Sequence, residues 1–247
     1  MPGIGRGVVG ELVEAASLRN HRRALMYSLA LLGAMIAIFA VVGRHPGQPG
    51  TTTTLPIVGR FDGGVYRRME DVRTAWLTWI AKALNLIGGG VVTIPLRSAV
   101  AIYLAIRRRW RAFAGWVLTW VLAEVMLTVT KAWYVRTRPS NALVITKGFS
   151  FPSGHAVAAS ATAVAIVLVT LPAGPRRRKW ELLAIAFSFV MALSRVYLNA
   201  HWFSDVVAGV LLGAGVALGS VALATEIRDL LLRGRAPPTP TGQPTAP

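Results

Sequence analysis

Apolar residues fall along this chain in long blocks rather than in the single stripe of a water-soluble helix. Residues 24–43 form an apolar run of about 20 residues, enough at 1.5 Å per residue to cross a ~30 Å hydrocarbon core. Further runs cover 91–106, 112–130, 154–171, 182–198 and about 203–225. The first run is longer than the core of a signal peptide, and no small-x-small cleavage site follows it, so it reads as a retained span.

Between the runs the pattern changes. Residues 44–73 read as a polar loop, with Pro46, Pro49, four threonines and Gly63-Gly64. Trp76, Trp79, Ile80, Ala83, Leu84 and Ile87 then recur at helical spacing, with Arg73, Thr78, Lys82 and Asn85 between them. This predicts an amphipathic helix at the membrane interface, its tryptophans at headgroup level; a full span is the alternative. Gly88-Gly89-Gly90 breaks it before the next run. In the last run, Gly209 and Gly213, then Gly215 and Gly219, have the spacing that lets helices approach closely. The Pro/Thr-rich tail from Ala236 reads as disordered.

Composition agrees with the pattern: 54% of the 247 residues are hydrophobic and 15% charged, against about 25% charged in soluble domains. The mean hydropathy is +0.53. With no cysteine, disulfides and thiolate metal sites are excluded. A net charge of +17 would suit nucleic acid, but the basic residues sit in short clusters between apolar runs and no nucleic-acid reading module is present.

Those clusters orient the chain. If six runs cross and the tryptophan helix stays at the interface, one face collects the N-terminal segment, Arg107 to Arg111, Arg176 to Lys179 and Arg228 to Arg235. That face holds 15 of the 27 Lys and Arg residues and is therefore cytoplasmic. A seven-span count would divide the clusters. The predicted fold class is an all-α integral membrane bundle of six transmembrane helices, with an interfacial amphipathic helix before the second span. Its parts are a cytoplasmic segment 1–23, a six-span domain 24–227 and a cytoplasmic tail 228–247.

Three stretches fall together on the opposite, extracytoplasmic face. One runs from Lys131 through Arg138 to Pro139, one is Pro152-Ser153-Gly154-His155, and one runs from Ser194-Arg195 through His201 to Asp205. Lys131, Arg138 and Arg195 are three cations suited to a multiply charged anion, since guanidinium forks match phosphate oxygens. Ser153 and Gly154 open a helix after Pro152, where backbone N–H groups make an anion-binding corner. His201 and Asp205 lie four apart, so on a helix the carboxylate would accept one imidazole N–H and free the other nitrogen to attack. His155, on a different helix start, is placed to act as acid and then base. Together these would make a phosphoryl-transfer site with no metal and no cofactor, because the motif region offers only Asp205 as an acid.

The ordered set, Lys-x6-Arg-Pro, Pro-Ser-Gly-His and Ser-Arg-x5-His-x3-Asp, resembles the three-part signature of the type 2 phosphatidic acid phosphatase superfamily. The resemblance covers residues 131–205. It implies that Lys131, Arg138, Ser153, Gly154 and Arg195 hold the phosphate, that His201 forms a phosphohistidine supported by Asp205, and that His155 is the general acid. It also implies six spans with the site on the outer face, in agreement with the charge count.

The function expected is hydrolysis of a lipid phosphate or diphosphate (a polyprenyl diphosphate, phosphatidylglycerophosphate or phosphatidate) in a bacterial plasma membrane. A lipid phosphotransferase using the same phosphohistidine, and a non-catalytic anionic-lipid binding or transport protein, are the alternatives. The partners expected are the lipid substrate and the bilayer, with no nucleic acid; the sequence says nothing of oligomeric state. Arg97 and Glu124, at roughly 14 and 10 Å depth by helical rise, are expected to pair within the membrane.

Overall fold

The computed structural model describes residues 4–42 and 55–233, and their regular structure is entirely helical. In chain order the helices are α1 (Ile4–Val42), α2 (Pro56–Asp71), α3 (Ala75–Gly88), α4 (Gly90–Ile106), α5 (Trp110–Trp133), α6 (Gly154–Thr170), α7 (Pro175–Tyr197) and α8 (Phe203–Arg233). Among the described residues, four segments are long and apolar enough to cross a membrane: Arg22–Ala40, Trp110–Trp133, Pro175–Tyr197 and Phe203–Ile227. Helices α3 and α4 pass the same test as one unit bent by 45°, and α6 is a shorter apolar helix. Large apolar side chains such as Met26, Leu29, Ile102, Val121 and Leu182 face outward, as they would toward lipid. The chain is an integral membrane protein.

Helix α8 is the axis of the bundle, and its four spaced glycines explain why. A Cβ on Gly213 would lie 2.0 Å from Ser160 Oγ, and one on Gly209 would lie 2.8 Å from the Ser153 carbonyl. Both face α6. On another side of α8, a Cβ on Gly219 would lie 2.7 Å from Ser28 Oγ and one on Gly215 3.0 Å from Leu32. Ser28 also donates a 2.8 Å hydrogen bond to the Gly215 carbonyl. One glycine pair thus admits α6 and the other admits α1.

The expected loop over 44–73 is corrected. Pro56, at the helix start where its missing N–H costs nothing, opens α2. Val58, Asp62, Val65 and Met69 then turn toward the bundle at helical spacing. Glycines 59, 63 and 64 hide this helix from propensity, which ranks glycine last but proline. The basic stretch 176–179, expected as a connection, forms the first turns of α7, and α1 extends upstream from its span to Ile4. The remainder of the 44–73 segment before Leu55 and the proposed disordered tail lie outside the described residues.

Helix α3 presents Trp76 and Trp79 outward, while Ala81 and Gly88 are buried against the bundle. Its start is tied to α7 through the Tyr197 hydroxyl, which is 2.9 Å from Thr78 Oγ1 and accepts the Thr74 N–H at 3.1 Å.

The expected intramembrane pair is present. Arg97 of α4 donates to Glu124 of α5 at 2.9 Å and, through Nε, to Thr162 Oγ1 of α6 at 2.9 Å. The Trp116 indole N–H donates to the Arg97 carbonyl at 3.0 Å. One guanidinium so ties three helices where no water competes for its donors.

Candidate active site

Helices α5 to α8 alternate in direction, so the end of α5, the start of α6, the end of α7 and the start of α8 meet at one end of the bundle. The loop 134–153 closes over that end. Its anchor is aromatic: Phe151, fully buried, packs edge-on against Phe39 of α1 at 5.0 Å, and Tyr134 meets Phe39 at 4.6 Å. The basic residues of 107–111 and 176–179 sit at the opposite end.

This arrangement gathers all eight residues singled out by the three motifs. Arg138 lies within Coulombic reach of Lys131, Arg195, His155 and His201. Lys131 donates to the Phe149 carbonyl at 2.7 Å. Arg195, buried, donates through Nη1 to Asn85 Oδ1 of α3. Arg138 spends all five of its N–H groups: on the carbonyls of Gly148, Ala200, Lys147 and Phe149 at 2.7–3.1 Å, and on His201 Nε2 at 3.1 Å.

His201 precedes α8 rather than lying on it, and this corrects the expected hydrogen bond to Asp205. Its Nδ1 N–H is donated to the Ser150 carbonyl at 2.7 Å, while the Asp205 carboxylate stands 3.6 Å away. The backbone carbonyl therefore fixes the tautomer, leaving Nε2 with its lone pair against Arg138. Asp205 supplies charge at slightly longer range. Burial pushes His201 down to about 4, against the opposing pull of Asp205, so the imidazole is neutral at physiological pH.

Asp205 has its own structural reason to be where it is. In the first turn of α8 it reaches back to accept the Trp202 N–H at 2.9 Å, as a capping-box carboxylate does. It also accepts Ser150 Oγ–H, and Arg136 Nη1–H at 2.5 Å. The main-chain N–H of Ser153 reaches the Asp205 carbonyl at 3.0 Å, which locks the start of α6 to the start of α8.

Buried polar atoms that lack a partner in this region include Ser153 Oγ, Arg195 Nε and Asn199 Oδ1. A buried donor left unsatisfied is costly. Ser153 and Arg195 are among the residues that the motif resemblance assigns to phosphate binding. Gly154 opens α6, with Leu127 at 3.4 Å from where its Cβ would stand. His155, one residue on, holds its Nε2 3.1 Å from the Asn85 carbonyl, which makes Nε2 the protonated nitrogen.

Four contributors escaped the sequence reading: Arg136, Asp62, Ser150 and Asn85. Arg136 is almost fully buried and bridges two carboxylates, Asp205 and, at 2.7 Å, Asp62 of α2. Asp62 in turn accepts the Ser204 N–H at 3.0 Å and the Ser204 Oγ–H at 2.6 Å. The expectation that Asp205 is the only acid near the motifs is thus corrected; a second carboxylate arrives from a segment read as loop. Among the described residues, no three His, Cys, Asp or Glu side chains form a metal-binding group. A cue for Arg136 was available, since a third cation between Lys131 and Arg138 exceeds what the motif requires.

Comparison with known proteins gives a consistent answer. A family model described as the PAP2 superfamily matches residues 113–229. An undecaprenyl-diphosphatase of Sulfolobus acidocaldarius is 30% identical over 171 residues, which is 66% of this chain and 78% of that protein. Phosphatidylglycerophosphatase B of Bacillus subtilis is 30% identical over 157 residues, 62% of this chain and 77% of that one. The crystal structure of a transmembrane PAP2-type phosphatidylglycerolphosphate phosphatase from Bacillus subtilis superposes with a TM-score of 0.68 at 22% identity, over 84% of this chain and 98% of that one. Aquifex aeolicus LpxE gives a TM-score of 0.54 at 22% identity, over 65% and 94%. The three motifs, their convergence at one end of the bundle and these matches together establish that the chain belongs to the PAP2 superfamily and is an enzyme of the lipid phosphatase class.

Proposed function

We propose that the chain hydrolyses the terminal phosphate of a lipid phosphate or diphosphate through a phosphohistidine on His201, at the extracytoplasmic face of the membrane. The observation that carries this reading is the tautomer of His201: Nδ1–H is committed to the Ser150 carbonyl, and Nε2 keeps its lone pair beside Arg138. Nε2 attacks phosphorus, the bond from phosphorus to the leaving oxygen breaks, and His155, entering the step as the imidazolium with Nε2–H on the Asn85 carbonyl, gives that oxygen the proton of Nδ1. Water then attacks phosphorus while the phosphorus–nitrogen bond breaks, with His155 taking the water's proton and His201 recovering its lone pair. Arg138, Lys131, Arg195, Ser153 Oγ and the main-chain N–H groups at the start of α6 receive the phosphoryl oxygens; the incoming oxygens replace carbonyls as partners of Arg138 and Lys131.

Six spans suit this reading, with α3 and α4 together forming the second. The outward tryptophans of α3 then lie at the outer interface, and both chain ends lie on the cytoplasmic side with the arginine clusters. A lipid headgroup reaches the site from the interface while its tail remains in the bilayer. Two of the similar proteins bear names of enzymes acting on undecaprenyl diphosphate and on phosphatidylglycerophosphate. A polyprenyl diphosphate therefore heads the substrate panel, followed by phosphatidylglycerophosphate and phosphatidate.

The test is phosphate release by the purified protein in detergent across that panel, with and without a chelator. Release without an added acceptor is expected, insensitive to chelation, and His201→Ala should abolish it while lipid binding persists. Unchanged turnover in His201→Ala would overturn the mechanism. Transfer of label to a second lipid without free phosphate would make the enzyme a phosphotransferase.

A further inference from the structure

Asp62 belongs to α2, outside the residues matched by the family model, yet it is 2% exposed and bound into the hydrogen-bond network beneath His201. Arg136 stands between it and Asp205, 2.7 Å from one carboxylate and 2.5 Å from the other. The Ser204 hydroxyl accepts from Arg136 at 2.7 Å and donates to Asp62 at 2.6 Å, so the bridge is closed on both sides. All three charged groups are nearly inaccessible to water, where Coulomb interactions are weakly screened.

The charges of this group are informative. Asp205 and Arg136 alone would cancel. With Asp62 included, the group carries one net negative charge while His201 is neutral. When Nε2 takes the phosphoryl group and Nδ1 keeps its proton, the ring becomes cationic, in a place already crowded by Lys131, Arg138 and Arg195. The surplus negative charge balances that cation. Without Asp62, Arg136 would neutralise Asp205 and nothing would remain for the ring.

We infer that Asp62 is a positioning residue for the phosphoryl-transfer step, acting through Arg136 to keep the Asp205 carboxylate's charge available to His201. The inference rests on the phosphohistidine reading above. It makes α2 a working part of the centre rather than a connector, and it assigns Arg136 a purpose distinct from binding phosphate, since three of its four Nη N–H groups are spent on Asp62, Asp205 and Ser204.

The experiment compares steady-state kinetics of the full-length protein in detergent, using whichever lipid of the panel is turned over fastest. Asp62→Asn keeps the size of the side chain and an oxygen for Ser204 but removes the charge. Its kcat should fall about 10- to 100-fold, with KM changed less than about twofold because the phosphate-binding cations are untouched. The decisive variant is Asp62→Asn with Arg136→Met. It removes both charges and restores the single negative charge on Asp205, so kcat should return to within about fivefold of the unsubstituted protein. Asp62→Glu, which keeps the charge, should retain more kcat than Asp62→Asn and serves as the comparison if the latter does not fold.

A merely structural tie would not be repaired by a second deletion. Full kcat in Asp62→Asn, no recovery in the double variant, or equal losses in the Glu and Asn variants would each overturn the inference. If His201→Ala retains activity, the phosphohistidine reading falls instead; loss there with full kcat in Asp62→Asn removes only the role of Asp62.

Discussion

Among the described residues, this bundle buries two arginines that pair with acids, and they differ in how their charge is balanced. Arg97, mid-bundle, has one carboxylate, Glu124, whose side chain is about half exposed (51%) on the outer surface of α5. Its remaining donors go to Thr162 and to the Ala158 carbonyl at 3.4 Å, so its partners are mostly neutral groups of α6. Arg136 has two carboxylates, both sealed, and its partners come from α2 and α8. The first arrangement ties helices together and is complete in itself. The second leaves an imbalance directed at His201. A buried ion pair is weak evidence of stability; a buried group with surplus charge beside a reactive ring points to chemistry.

Removing each arginine should separate the two. Arg136→Ala strands two buried carboxylates and should cost about 3–5 kcal/mol of stability as well as activity. Thermal unfolding in detergent, read beside turnover of the surviving folded fraction, checks both. Equal activity per folded molecule would make Arg136 a structural tie like Arg97. Arg97→Ala should destabilise without that second loss. In a double-mutant cycle with Glu124→Ala, a coupling on the order of 0.5–3 kcal/mol is expected; additive effects would dissolve the pair.

The smallest expected effect is a slope with pH. His201 is held down to about 4 in the fold against about 6.5 for a free imidazole. The unfolded chain therefore binds the proton more readily. This residue's contribution is fully present above the unfolded value and is lost as pH falls from about 6.5 toward 4. Unfolding midpoints over that window should decline more steeply in the unsubstituted protein than in His201→Ala. Parallel profiles would show that burial does not hold the ring neutral.

The legible parts of this molecule were local ones. Long apolar runs marked the bundle helices, four of which among the described residues are long and apolar enough to cross, and glycines four apart on α8 gave its close contacts with α6 and α1. The three motif stretches are short, and each brings its polar residues to one helix end, so their convergence could be anticipated. What escaped depends on distance along the chain. Asp62 meets Arg136 across 74 positions and Ser204 across 142, and no periodicity links them. The glycines of α2 concealed the helix that makes the meeting possible. The four-residue spacing of His201 and Asp205 misled for a different reason: it implies a shared helix face only if both residues lie on the helix, and α8 begins at Phe203, after His201. Ser150 holds His201 through its carbonyl, which every residue carries; only its hydroxyl on Asp205 depends on its being serine.

The separation of Asp62 from Ser204 also has a consequence for biogenesis. A ribosome adding about 5–20 residues per second needs on the order of ten seconds to make the intervening chain. Until Arg136 is made, α2 carries an acid with neither partner to receive it, and Ser204 follows only at the end of that interval. Helix α2 also packs on α7, but its tie to Ser204 closes only once α8 has begun to form. On the phosphohistidine reading, a half-inserted chain has its first cations facing headgroups before His201 is made, and so does not cut the lipids around it.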